Sequence, residues 1–219
     1  MNRWSVILTC VLCGFFAEAD TTLVFGFDNN TEPNGIRYND IEQSITFSGA
    51  VSGADQTDFN VLDNIDGTVN FSIGAVGDLV SFSGTISSVG GKLSMGASGA
   101  GVDAVGTDSP YLDQESEAVI FTFSHDVYLI SMNYYDPEDG QQSVLINDSE
   151  VAGSPFDNDF AGSFFVKAGD ALKFGYIENG GDSYGIDDFQ ITVVPEPVAV
   201  SLIGVGGLML FLLRRITRS

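Results

Sequence analysis

Ala118-Val119-Ile120-Phe121-Thr122-Phe123, then Ser124-His125-Asp126, then Val127-Tyr128-Leu129-Ile130-Ser131-Met132-Asn133-Tyr134-Tyr135, is the stretch that decides the fold class. Two runs rich in β-branched and aromatic residues flank three residues that favour turns, which is the signature of two strands joined tightly. Phe121 with Phe123, and Ile120 with Thr122, repeat every second position, so one face of the first run is expected to be buried and the other half-exposed.

Outward from this stretch the same texture recurs between clusters of Gly, Asn and Asp. Strands are expected over Leu23–Phe27, Ser44–Phe47, Thr68–Ile73, Leu79–Ile86, Ser143–Ile146, Ser163–Val166, Ala171–Ile177 and Ile186–Val193. Within them Phe71 and Ile73, and Phe189, Ile191 and Val193, again alternate. No stretch between residues 20 and 193 has the period of a long amphipathic helix. About ten strands in one domain imply an all-β, single β-sandwich or jelly-roll-like fold large enough to bury most of its apolar surface. The one shift in composition, Gly84–Gly106 with seven glycines, is expected to be a long loop or weak hairpin inside that sandwich rather than a linker. Gly99-Ala100-Gly101-Val102-Asp103-Ala104 matches a dinucleotide-binding pattern only formally, because Gly106 and Pro110 deny it the helix that would hold a pyrophosphate.

The ends of the chain have a different character. Arg3 begins a basic segment, Val6–Phe16 is apolar, and Ala17-Glu18-Ala19 is a small-x-small cleavage site, so residues 1–19 are expected to be an export signal with Asp20 as the new N-terminus. Cys10 and Cys13 leave with it, and with them go disulfide, thiolate and thiolate-metal chemistry. Residues 194–219 hold Pro195-Glu196-Pro197, sixteen residues without a charge from Val198 to Leu213, and Arg214-Arg215 close to the end. The two prolines keep a helix from starting before Val198. Sixteen residues is short for a membrane core that takes roughly 20, and the arginines place the C-terminus on the cytoplasmic side.

This order of collar, short apolar helix and terminal arginines resembles the PEP-CTERM sorting signal of exported Gram-negative bacterial proteins. The match is confined to the last 26 residues or so, where Pro195, Glu196, Pro197, Gly204, Gly206, Gly207, Arg214 and Arg215 carry it. The resemblance implies recognition by an exosortase-type membrane protease that cuts near the collar, and an association with exopolysaccharide or biofilm matrix.

Once Glu18 and Glu196 are set aside, 28 acids remain in the exported part against Arg37, Lys92, Lys167 and Lys173. A field of that sign repels nucleic acid and anionic lipid, so the membrane is reached only through the C-terminal helix. Catalytic constellations are scarce. The single histidine, His125, falls in the turn between the two opening strands, with neither a cysteine nor a serine elbow to serve it. No carboxylate pair is singled out for glycoside hydrolysis.

Two binding candidates remain. Met132-Asn133-Tyr134-Tyr135-Asp136 and Tyr176-Ile177-Glu178-Asn179 offer aromatic, amide and carboxylate groups of the kind that hold sugars. In Ile186-Asp187-Asp188-Phe189 strict alternation puts Asp187 on the face of Phe189, Ile191 and Val193, where a carboxylate needs a partner: the amides of the Gly180-Gly181-Asp182 turn, or a cation. That strand end is similar to the last strand of carbohydrate-binding jelly rolls, which implies a structural calcium held with carbonyls of the first strand. The expectation is therefore a non-enzymatic, exported envelope or matrix protein sorted by an exosortase, with a calcium-containing carbohydrate-binding module as the alternative.

Overall fold

The computed structural model describes residues 21–27, 34–51, 53–96, 99–103, 111–113, 116–135, 144–151, 159–176 and 183–195. The expected export signal, the helix Val198–Leu213 and the arginine tail lie outside them; among the described residues no helix is long and apolar enough to cross a membrane.

Alternation between buried and half-exposed positions along β1, Thr21–Gly26, turns Leu23 and Phe25 inward, and Phe27 just beyond it is also fully buried. The chain then forms β2, Gly35–Tyr38, and β3, Ile41–Glu42, across a two-residue turn in which Asn39 and Asp40 have φ of 50° and 61°. Only residues that tolerate left-handed backbone close such a hairpin cheaply, and Asn and Asp do. Next come β4, Ile45–Gly49, β5, Gly53–Gln56, a single 3₁₀ turn at Asn60–Leu62, β6, Val69–Ile73, and β7, Phe82–Val89. After them run β8, Lys92–Gly96, β9, Gly99–Asp103, β10, Ala118–Phe123, and β11, Val127–Tyr135. A second Asn-Asp turn, Asn147 and Asp148, joins β12, Val144–Ile146, to β13, Ser149–Val151. The last three strands are β14, Asp159–Val166, β15, Ala171–Tyr176, and β16, Gly185–Val193.

These strands form two antiparallel sheets, a β-sandwich-like arrangement, and Thr21–Val194 is one compact unit. The first sheet has the order β14-β11-β16-β1-β2-β3, with the β8–β9 hairpin attached where Ala100 pairs with Ile186. The second has the order β13-β12-β15-β10-β7-β6-β4-β5. β10 and β11 belong to different sheets, so the turn at Ser124–Asp126 carries the chain from one layer to the other. The first and last strands are neighbours along their whole length, from Thr21 opposite Val193 to Gly26 opposite Asp188.

Phenylalanines fill the space between the sheets. Phe25 from β1 and Phe189 from β16 stack at 4.7 Å, and Phe121 from the opposite sheet meets Phe189 edge-on at 4.9 Å. Full burial of side chains of this size contributes about 1.5–3 kcal/mol each, and offset or edge-on geometry between rings adds to it.

The described part of the glycine-rich segment holds the hairpin expected as one of its two forms, not the long loop. β7 continues through Val89, and the β8–β9 hairpin packs its Leu93, Met95, Ala100 and Val102 into the core. Its glycines serve contact: Gly99, at φ +91°, lies so close to β16 that a Cβ there would stand 2.3 Å from the Ile186 carbonyl oxygen.

Candidate functional site

Asp187 is half-buried, with its Oδ1 shut off from solvent, and it lies at an irregularity of the last strand. Asn133 on β11 is opposite Asp188, whereas the next residue, Tyr134, is opposite Ile186, which leaves Asp187 as the extra residue of a bulge. A bulge resets the two-residue period. Ile186 is accordingly fully buried like Phe189, and Asp187 and Asp188 are both half-buried. The Asp187 carbonyl accepts the Phe27 amide at 2.7 Å, which extends the pairing of the last strand with the first. Asn133 donates through Nδ2 to both carboxylate oxygens of Asp188, at 3.1 and 3.0 Å. For calcium the fit is incomplete: among the described residues no three His, Cys, Asp or Glu side chains come together as ligands, and the Gly180-Gly181-Asp182 turn lies outside them.

Two of the expected sugar-binding tyrosines are core residues. Tyr134 and Tyr176 are each only 4% exposed, and Met132 is fully buried. Tyr134 meets Tyr184 edge-on at 5.7 Å, and the Tyr184 hydroxyl donates to the Gly175 carbonyl at 2.6 Å. Burial, reinforced by Tyr134, holds that hydroxyl well above the usual tyrosine range. The reversal again comes from a bulge, between Leu129 and Ser131, which turns Met132 and Tyr134 inward. The Tyr135 side chain, Asp136 and Ile177–Asn179 lie outside the described residues. Exposed aromatics occur instead at Tyr128 and Phe165, paired across β11 and β14 with rings 5.2 Å apart.

His125 is tied into its turn. Its Nδ1 lies 2.8 Å from Ser124 Oγ, its ring stacks on Phe82 at 5.8 Å, and Ser124 Oγ also accepts the Ser83 amide at 3.1 Å. The pair fastens the crossover between sheets to β7.

The outward face of the second sheet holds a different constellation, an open groove of about 390 Å³. Register aligns Ser48, Asn70, Thr85 and Thr122 in one row across four adjacent strands. Thr46, Ser72, Ser83 and Ser124 form a second row, its last step closed by the Ser124 amide donating to the Ser83 carbonyl. Thr85 and Thr122 share a hydrogen bond between hydroxyls at 2.8 Å, and Asn70 Nδ2 donates to the Ser48 carbonyl at 3.3 Å. Among the described residues, no charged side chain lines this groove.

Of the residues expected to direct sorting, Pro195 is the last described and Glu196, Pro197, Arg214 and Arg215 lie beyond. Comparison with protein-family models, curated proteins and solved structures gives no match.

Proposed function

We propose that this chain is an exported protein of the cell envelope or extracellular matrix, non-enzymatic, held at the inner membrane by its tail and then released by an exosortase-type protease. The observation that carries the reading is the sequence order Pro195-Glu196-Pro197, uncharged Val198–Leu213, Arg214-Arg215. It is supported by where the folded unit stops: β16 ends at Val193, and Val194 donates its amide to the Asp126 carbonyl at 2.8 Å. A cut near the collar removes no strand from either sheet. The charge supports it too, since a net −22 keeps the chain soluble and discourages nucleic acid as a partner.

Mass spectrometry of the surface-exposed or secreted protein from its own cells is expected to find an N-terminus at Asp20 and a C-terminus within Pro195–Pro197. Replacing Arg214 and Arg215 with alanine is expected to leave an unprocessed, membrane-associated form. Finding Arg214–Ser219 intact on the surface-exposed wild-type protein would overturn the reading.

The second reading, a carbohydrate-binding module, is favoured by the hydroxyl-lined groove of the second sheet. It is compatible with the first, because a matrix protein has polysaccharide as its surroundings.

A further inference from the structure

We infer that the outward face of β4, β6, β7 and β10 binds a neutral polysaccharide laid across the strands. The inference deepens the carbohydrate-binding reading and rests on it. Three observations carry it together, and the first is the lining. The polar groups of the groove are hydroxyls and one amide, each able both to donate and to accept. Among the described residues the hydroxyls of Thr46, Ser48, Ser72 and Ser83 have no side-chain partner, so a ligand meets unspent hydrogen-bonding capacity. Sugar hydroxyls have the same dual character.

The second observation is charge. In a chain of net −22, none of the described residues that line this groove is an Asp or Glu. A cation is offered no carboxylate by the described residues there. An anionic polymer meets no basic group among them to offset the field of the whole domain. The remaining class is uncharged and rich in hydroxyls.

The third is spacing. Neighbouring strands stand about 4.8 Å apart, comparable to the length of one pyranose residue, so successive sugars of an extended chain meet successive strands. Thr85 and Thr122 lie on β7 and β10, adjacent strands of this path, with their hydroxyls already bonded to each other. That bond fixes both side chains in advance of binding, which lowers the ordering cost.

The test is affinity electrophoresis of the purified protein through native gels containing hydroxyethylcellulose, laminarin or dextran as neutral polymers, and alginate as an anionic one. Retardation by at least one neutral polymer and none by alginate is expected. The double substitution Thr85→Val and Thr122→Val keeps shape and strand preference and removes two hydroxyls, and is expected to weaken retardation by about tenfold. Asn70→Ala with Ser72→Ala provides a second reading on the same groove should the valines disturb the sheet, with circular dichroism reporting the fold. Tyr128→Ala, on the opposite sheet, is expected to change nothing. The inference is overturned by indifference to all three neutral polymers, by retardation in alginate, by groove variants that bind as the parent does, or by loss of binding in Tyr128→Ala alone. Tail processing is read independently by mass spectrometry, so failure of either idea leaves the other standing.

Discussion

Phe189→Ala is expected to cost the Thr21–Val194 domain about 3–5 kcal/mol, because it removes a large side chain from a place where neither sheet can move in to fill the gap. Phe189 stacks on Phe25 within its own sheet and touches Phe121 and Phe174 of the other, at 4.9 and 5.4 Å. Those contacts cross the layer, so collapse onto the cavity would have to drag β10 and β15 along with the rest of their sheet. Against a total stability of about 5–15 kcal/mol for a domain, the loss takes from about a fifth to nearly all of the margin. Denaturant titration of the two proteins measures it. Phe165→Ala is the comparison: its ring is exposed and pairs with Tyr128, and its loss is expected to cost under about 1 kcal/mol. Equal effects at the two positions would mean that the aromatic layer between the sheets is not what holds them together.

Gly99→Ala is expected to be almost as damaging, for a reason that has nothing to do with cavities. At φ +91° any residue with a Cβ pays roughly 1–2 kcal/mol in backbone strain. Here the methyl would also stand 2.3 Å from the Ile186 carbonyl oxygen and 3.2 Å from the Asp187 amide, backbone atoms of a central strand that cannot swing aside. Overpacking of that kind adds about 1–3 kcal/mol. Gly169 separates the two contributions, since it has φ +80° and a methyl group there would meet nothing within 4 Å, so Gly169→Ala carries the strain alone. The expected result is a Gly99→Ala melting temperature well below that of Gly169→Ala, with amide-exchange protection lost first in β8 and β9. Matching melting temperatures would show that the hairpin does not press on β16.

Strands are legible wherever bulky side chains alternate. The runs Ala118–Phe123 and Val127–Tyr135 match β10 and β11 residue for residue. The strands that alternation does not reveal are polar, short or rich in glycine: β2, β3, β5, β8, β9 and β13. Two of their hairpins do carry a readable mark, Asn39-Asp40 and Asn147-Asp148, pairs suited to positive φ between strand-like residues. Bulges leave no mark at all. One extra residue at Asp187, and an irregularity between Leu129 and Ser131, bury Ile186 as well as Phe189 and turn Met132 and Tyr134 into the interior. Both depend on how a strand meets its neighbours, which local alternation does not encode. The groove is hidden for the same reason. Thr46, Asn70, Thr85 and Thr122 lie as far as 76 positions apart in the chain, and each alone reads as an ordinary outward residue of a strand. Only register makes them a surface.

The pairing of β1 with β16 also sets a timetable. Ribosomes add roughly 5–20 residues per second, so on the order of ten seconds separates the appearance of Phe25 from that of Phe189, its partner 164 positions later. The second sheet has no such wait in its middle, for β4, β6, β7 and β10 are adjacent in space and follow one another in order of synthesis. The middle of one layer pairs strand by strand in chain order, whereas the other stays open at its centre until β16 arrives between β1 and β11. A stop codon before Gly185 would give no smaller version of this domain: it would leave two long apolar strand edges bare. Arrival of β16 and closure of the first sheet are one event.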